Sequence, residues 1–296
     1  MLPPAALFAE PAGEPALASA DSVSWRLFKN PVTLFIGGVA AVILEFAEPA
    51  VRTGVWEHTD FRRDPVRRLE RTGLAAMVTV YAACSVAQPM IAGVVRRHER
   101  VQGTTPAGEP YRANDPRLLV WVQATAAYGF IEAYRRYAAP LSPAEIDRAY
   151  AEGAPAAALY GAREAPRSDA ERRALFDAML PRLEPSPIVF EFLDIMRRAP
   201  IVPAPLRPLQ RLLLRAAVEI VPDEVRARLG LGAGFGLRRW ERGLVRGLAW
   251  LADRVVLRRS PAVQSCLRLG LPAGHLYRRR GSGWASRSMA SRTATP

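Results

Sequence analysis

The chain has 296 residues, half of them hydrophobic, enough apolar surface for one large helical domain or two average ones. Its formal net charge is +13, but Lys29 is the only lysine. The arginines are dispersed and no recognition-helix or stacking-aromatic pattern accompanies them, so nucleic acid is not an expected partner. Two cysteines, Cys84 and Cys266, exclude a disulfide framework or a cysteine-held metal cluster and fit a reducing, cytoplasmic compartment.

Taken in chain order, "MLPPAALFAEPAGEPALASADS" carries acids and prolines and has no basic start, unlike a signal peptide. Residues 1–21 are expected to form a flexible leading segment. "VTLFIGGVAAVIL" is too short to span a bilayer, and "GLAAMVTVYAACSVAQPMIAGVV" is broken at "SVAQP"; both predict buried core helices. Asp64-Pro65 and Asp115-Pro116 each set an N-cap acid before a proline at the first helical position. Ser142 with Glu145, and Ser168 with Glu171, are spaced as capping boxes. Ser186-Pro187 opens "IVFEFLDIMRR", and Pro208 opens "LQRLLLRAAVEIV". "PDEVRARLG" is a short helix stopped by Gly230, and "WERGLVRGLAWLADRVVL" is another helix.

No alternating strand of useful length and no Asn-Gly hairpin is visible. The expectation is an all-α single domain of about ten helices over residues 22–277. No acid follows Asp253. Residues 278–296 are Ser/Gly/Arg-rich and are expected to be a disordered basic tail, either solubilising or in peripheral contact with an anionic membrane.

Few motifs carry chemistry. "HERVQ" begins like a zinc-protease helix, but Gln102 stands where a second imidazole is required. "GLGAGFG" follows a helix and no strand precedes it, so it is a loop and not a dinucleotide site. In "VVRRHERVQG", a helix over about residues 85–101 puts His98 in line with Ile91, Val94 and Val95, facing the core. Arg96 and Arg100 lie nearly opposite. Two roles stay open for His98: a ligand aimed inward, or a histidine favoured by the helix C-terminal dipole. In "DPVRRLERTGLAA", Arg68, Arg71 and Thr72 share one broad face, followed by the small residues Ala75 and Ala76. Two guanidinium groups and a hydroxyl suit a flat anionic ligand; a solvated amphipathic face is the alternative.

Together, "FRRDPVRRLERTG", "VRRHERVQGTTPAGEPYRANDPRLLVWVQAT" and "YRRYAAPLSPAEIDRAYAE" resemble a known family. It is the bacterial family sharing the catalytic domain of latex-clearing rubber oxygenases and of the fungal oxygenase of mycophenolic acid biosynthesis. The similarity covers about residues 30–277. The resemblance implies a globin-like all-α fold holding haem b, with one histidine as axial iron ligand and an Arg-x-x-Lys-Thr motif lining the haem pocket. Carried onto this chain, the ligand is His98 and the motif is Arg68, Arg71 and Thr72, with arginine in place of lysine. Many relatives have histidine where this chain has Gln123, which the resemblance places near the haem as a pocket residue. Glu57 is the acid named for the base role that rubber oxygenases are thought to use. His58 beside it is a competing ligand, read as lying in a loop. The implied activity is oxidation by dioxygen of an apolar, isoprenoid or lipid-like substrate. The alternative is a haem-less helical protein of the same fold that binds a lipid or a partner.

Overall fold

Polar caps followed by proline start most of the long helices. Asn30, Asp64, Asp115, Ser142, Ser168 and Ser186 each accept a backbone N–H of the helix they precede. The computed structural model describes residues 6–277. Its first half holds α1 (Ala6–Ala9), α2 (Val23–Phe28), α3 (Pro31–Glu45), α4 (Pro49–His58), α5 (Pro65–Tyr81), α6 (Cys84–His98) and α7 (Pro116–Tyr137). The second half holds α8 (Pro143–Leu159), α9 (Asp169–Met179), α10 (Pro187–Arg198), α11 (Arg207–Ile220), α12 (Asp223–Arg228), α13 (Arg239–Ala252) and α14 (Pro261–Arg268). The expected all-α fold is therefore present. The helices beyond the expected number are short ones, such as α1 and α2, with too few turns to show a period.

The only strands among the described residues are β1 (Gln102–Thr104) and β2 (Pro110–Arg112), an antiparallel hairpin that the sequence did not announce. Each is three residues long, too short to show alternation, and the turn uses Gly108 at φ +87° instead of an Asn-Gly pair.

The centre of the fold is the crossing of α3 and α7. A Cβ on Gly37 would stand 2.7 Å from the carbonyl oxygen of Gly129, so only glycine permits this approach. α11 and α13 close the same core, whose aromatic end packs Phe46 edge-on to Trp56 and Phe192. α13 is fastened by polar groups as well. Asn30 caps α3 through its Oδ1 and donates its amide to the Ala249 carbonyl at 2.9 Å. Lys29 is buried; its ammonium donates to the Asp253 carbonyl at 2.7 Å and pairs with the Asp253 carboxylate at 3.2 Å.

The leading segment differs from expectation, because residues 6–21 are docked. Phe8 is 1% exposed. Arg268 donates to the carbonyls of Phe8, Glu14 and Tyr81, at 2.9, 3.0 and 2.8 Å. The Glu14 carboxylate accepts the Ser85 backbone N–H at 2.6 Å and its hydroxyl at 2.7 Å, capping the start of α6. Residues 1–5 and the expected basic tail lie outside the described residues. Among the described residues no single helix is long and apolar enough to cross a membrane; α3 and α4 together pass by length and composition, but the chain bends by 111° between them.

Candidate functional site

The site begins with where α5 starts. Asp64 accepts the Arg67 N–H at 3.2 Å and Pro65 fixes the first turn, which puts Arg68, Thr72, Ala75, Ala76 and Thr79 along one face. Arg68 hydrogen-bonds Thr72 Oγ1, and Thr72 donates back to the Arg68 carbonyl at 2.9 Å. Farther along, the Thr79 hydroxyl meets that of Tyr160 at 2.9 Å, fixing α5 against the end of α8.

α6 runs back beside α5 and brings His98 up as its last residue. The helix ends at His98 and not at Val101, because the chain turns there into β1; the Val101 N–H bonds the His98 carbonyl at 3.0 Å. Asn114 braces this end by donating to the Val95 carbonyl at 3.1 Å. His98 is half-buried, while Arg96, Arg97 and Arg100 are exposed, so the imidazole and its arginine neighbours occupy different surroundings.

His98 titrates below its ordinary value, first because burial disfavours the imidazolium and then because Arg68 and Arg97 repel it. Arg68 is likewise held down by burial, against the attraction of Glu45 and with repulsion from Arg71. The Glu45 carboxyl is pushed up to about 7 by burial, with Arg68 opposing the shift. Glu45 is the last residue of α3 and is half-buried. The charge of Arg68 thus acts on both the His98 imidazole and the Glu45 carboxyl, whose proton exchanges near neutral pH.

Of the residues singled out from the sequence, Arg68 and His98 come together here. Arg71 and Thr72 lie beside Arg68 but are exposed. Gln123 lines a different space, a cavity of about 20 Å³ between α7 and α8 bounded by Ala124, Tyr150 and Gly153; it has room for about one water and none for a macrocycle. Glu57 is exposed near the end of α4, where its charge is felt by Tyr111 of the hairpin. His58 is the exposed last residue of α4 and not part of a loop. The acid facing Arg68 is Glu45, which reasoning from sequence passed over. The available signal was a lone carboxylate closing the apolar run "VTLFIGGVAAVILE".

The residues along α5 and α6 fit a flat, anionic, iron-bearing group. Two polar atoms here, His98 Nδ1 and Arg68 Nε, are buried without a hydrogen-bond partner. The facing helices are open: α5 buries only Val78 and Tyr81 of its 17 residues, and α6 only Ala87 and Ile91 of 15. Ala75, Ala76, Val94 and Val95 remain half-buried, an apolar surface incompletely covered by protein. Among the described residues no group of three or more His, Cys, Asp or Glu could hold a bare metal ion. A single imidazole suits iron only when a macrocycle brings the other donors.

With this geometry in hand, one comparison identifies the fold's relatives. The family model described as "ER-bound oxygenase mpaB/B'/Rubber oxygenase, catalytic domain" matches residues 25–254. No curated protein and no solved structure matched the chain.

Proposed function

The chain belongs to the mpaB/rubber oxygenase catalytic-domain family, and from that premise we propose a haem b-dependent oxygenase acting on an apolar, isoprenoid or lipid-like substrate with dioxygen. The observation that carries this reading is that His98 Nδ1 and Arg68 Nε are both buried without a hydrogen-bond partner on neighbouring helices that bury few of their residues. When bound, haem b would supply a redox-active iron for dioxygen chemistry, oxidising a carbon–carbon double bond.

The chain's own residues have separate tasks. His98 would hold the haem iron; burial and the Arg68 charge favour its neutral form, which has a lone pair to give. Arg68 would pair with a propionate, and Arg71, exposed at the rim, with the same or the second one. Glu45 holds or releases a proton near pH 7 at its carboxyl oxygen, which suits a general base. The half-buried aliphatic faces of α5 and α6 exclude water and receive the apolar substrate. Gln123 lines its own small cavity with Ala124, Tyr150 and Gly153 and takes no part in this proposal.

Absorption spectroscopy tests the proposal. Protein expressed with a haem precursor should show a Soret band that His98→Ala abolishes, while Arg68→Ala weakens haem retention. A colourless parent protein that also fails to take up added haemin defeats the reading and leaves the haem-less lipid-binding alternative.

A further inference from the structure

α13 has three sides instead of the usual two. Glu241, Val245 and Ala249 form its buried stripe, one helical turn apart. Arg239, Arg242 and Arg246 lie along a second side. The third side is apolar and uncovered: Trp240 is 64% exposed, Leu244 48% and Leu251 55%, at helical spacing. The chain then leaves the helix as "RVVLRR" (residues 254–259), in which every residue is exposed, Val255 and Leu257 included. Trp250, also half-exposed, carries the Arg254 guanidinium over its ring at 3.8 Å. Beside it an open groove of about 390 Å³ runs between α7 and α13, with Arg135, Arg136, Arg246 and Trp250 among its walls.

Charge decides what covers this surface. Asp253, the last acid in the chain, is turned inward to Lys29, so it does not offset the rim. Arg135 and Arg136 share the single carboxylate of Glu132. A second copy meeting this face about a two-fold axis would set arginine against arginine. The residues after 277 contain arginines and no acid, so they do not complement it either. Nucleic acid would satisfy the guanidinium groups but not the exposed valines and leucines. An anionic bilayer satisfies both kinds of group. Tryptophan and aliphatic side chains partition into the boundary between headgroups and acyl chains, and arginines bind lipid phosphate at the same depth.

We propose that the uncovered side of α13 and the 254–259 loop form a docking face for anionic phospholipid membranes. This stands independently of the oxygenase reading.

Full-length protein sedimented with phosphatidylcholine vesicles, with and without phosphatidylglycerol, provides the test. The expected result is binding that requires phosphatidylglycerol, falls with added salt and shifts tryptophan emission to the blue. Arg258→Glu/Arg259→Glu should weaken binding by roughly fivefold or more for each arginine lost. Trp240→Glu/Leu251→Glu should weaken it about tenfold or more. Both pairs are exposed, so unchanged melting curves will show that the variants remain folded. Equal binding by the Trp240/Leu251 variant and the parent would move the contact to the basic C-terminal residues and overturn the proposal. So would a dimer in sedimentation velocity that this variant dissolves, with no vesicle binding by the parent.

Discussion

The α3–α7 crossing and the α5–α6 hairpin draw on the same small and aliphatic residues, and bury them to opposite extents. α3 buries eight of its 15 residues and α7 buries eleven of its 22, with backbones close enough that Gly37 and Gly129 admit no side chain. α5 and α6 bury two residues each, and leave a buried imidazole nitrogen and a buried guanidinium nitrogen unpartnered. The first pair is buried more fully, although the Trp121 indole nitrogen on α7 is also without a partner; the second pair leaves most of its residues short of burial. A region whose apolar faces and polar atoms await partners is where a ligand adds most, because the protein has already lost the corresponding water contacts. The contrast fits a framework role for the first pair and, under the proposed function, ligand binding for the second.

The sharpest way to break that division is to overfill the crossing. Gly129→Val should cost at least about 3 kcal/mol or prevent folding, since the new methyl groups meet the backbone of α3 and not a side chain that can yield. Chemical denaturation of the purified variant measures it; a loss under about 1 kcal/mol would mean that the two helices can separate freely.

The next effect in size belongs to Glu45. Its folded carboxyl titrates at about 7 against an ordinary 4.5. Below pH 4.5 both folded and unfolded forms carry the proton, and the group exacts no penalty. Between those values the unfolded chain releases the proton while the folded one retains it, so stability falls as pH rises, and levels out above about 7. The loss is on the order of 3 kcal/mol for haem-free protein. Glu45→Gln should remove it. Comparing the two proteins cancels the contribution of His98, which has the opposite slope: its lowered value makes stability fall as pH drops below the ordinary histidine range. Parallel stability–pH curves for parent and variant would show that the carboxyl is solvated after all.

His98→Ala should leave the melting of haem-free protein within about 1 kcal/mol of the parent, in contrast to the loss of haem binding that the proposed function expects of it. A large loss would make His98 part of the framework. The smallest effect is expected at the start of α6. Glu14→Ala should speed amide exchange at Ser85 and Val86, read by mass spectrometry, without changing exchange in α3 or α7.

Local signals were legible in the sequence to the extent that their partners are local. The caps at Asp64, Asp115, Ser142, Ser168 and Ser186 each act within three residues, and the structure uses all of them. The inward placement of His98 followed from its alignment with Ile91 and Val94 on one helix. Glu45 was not legible in the same way: an acid at the end of an apolar helix looks solvated until Arg68, on another helix, is placed against it. The docking of residues 6–21 depends on Arg268, far away in the chain. The open side of α13 was hidden for a similar reason. Its apolar positions form two stripes, and only packing determines which one the core takes.

Lys29 has a consequence beyond its part in holding α13. The only lysine of the chain has its amine enclosed against Asp253, so the positive charge on the surface is guanidinium. Acetylation, ubiquitin transfer and amine-directed cross-linkers therefore find no exposed lysine in the folded molecule. Guanidinium keeps its proton at any pH a cell reaches. The arginine charge of the proposed docking face is thus beyond the control of lysine modification, leaving ionic strength and the composition of the opposing surface to set how strongly it would bind.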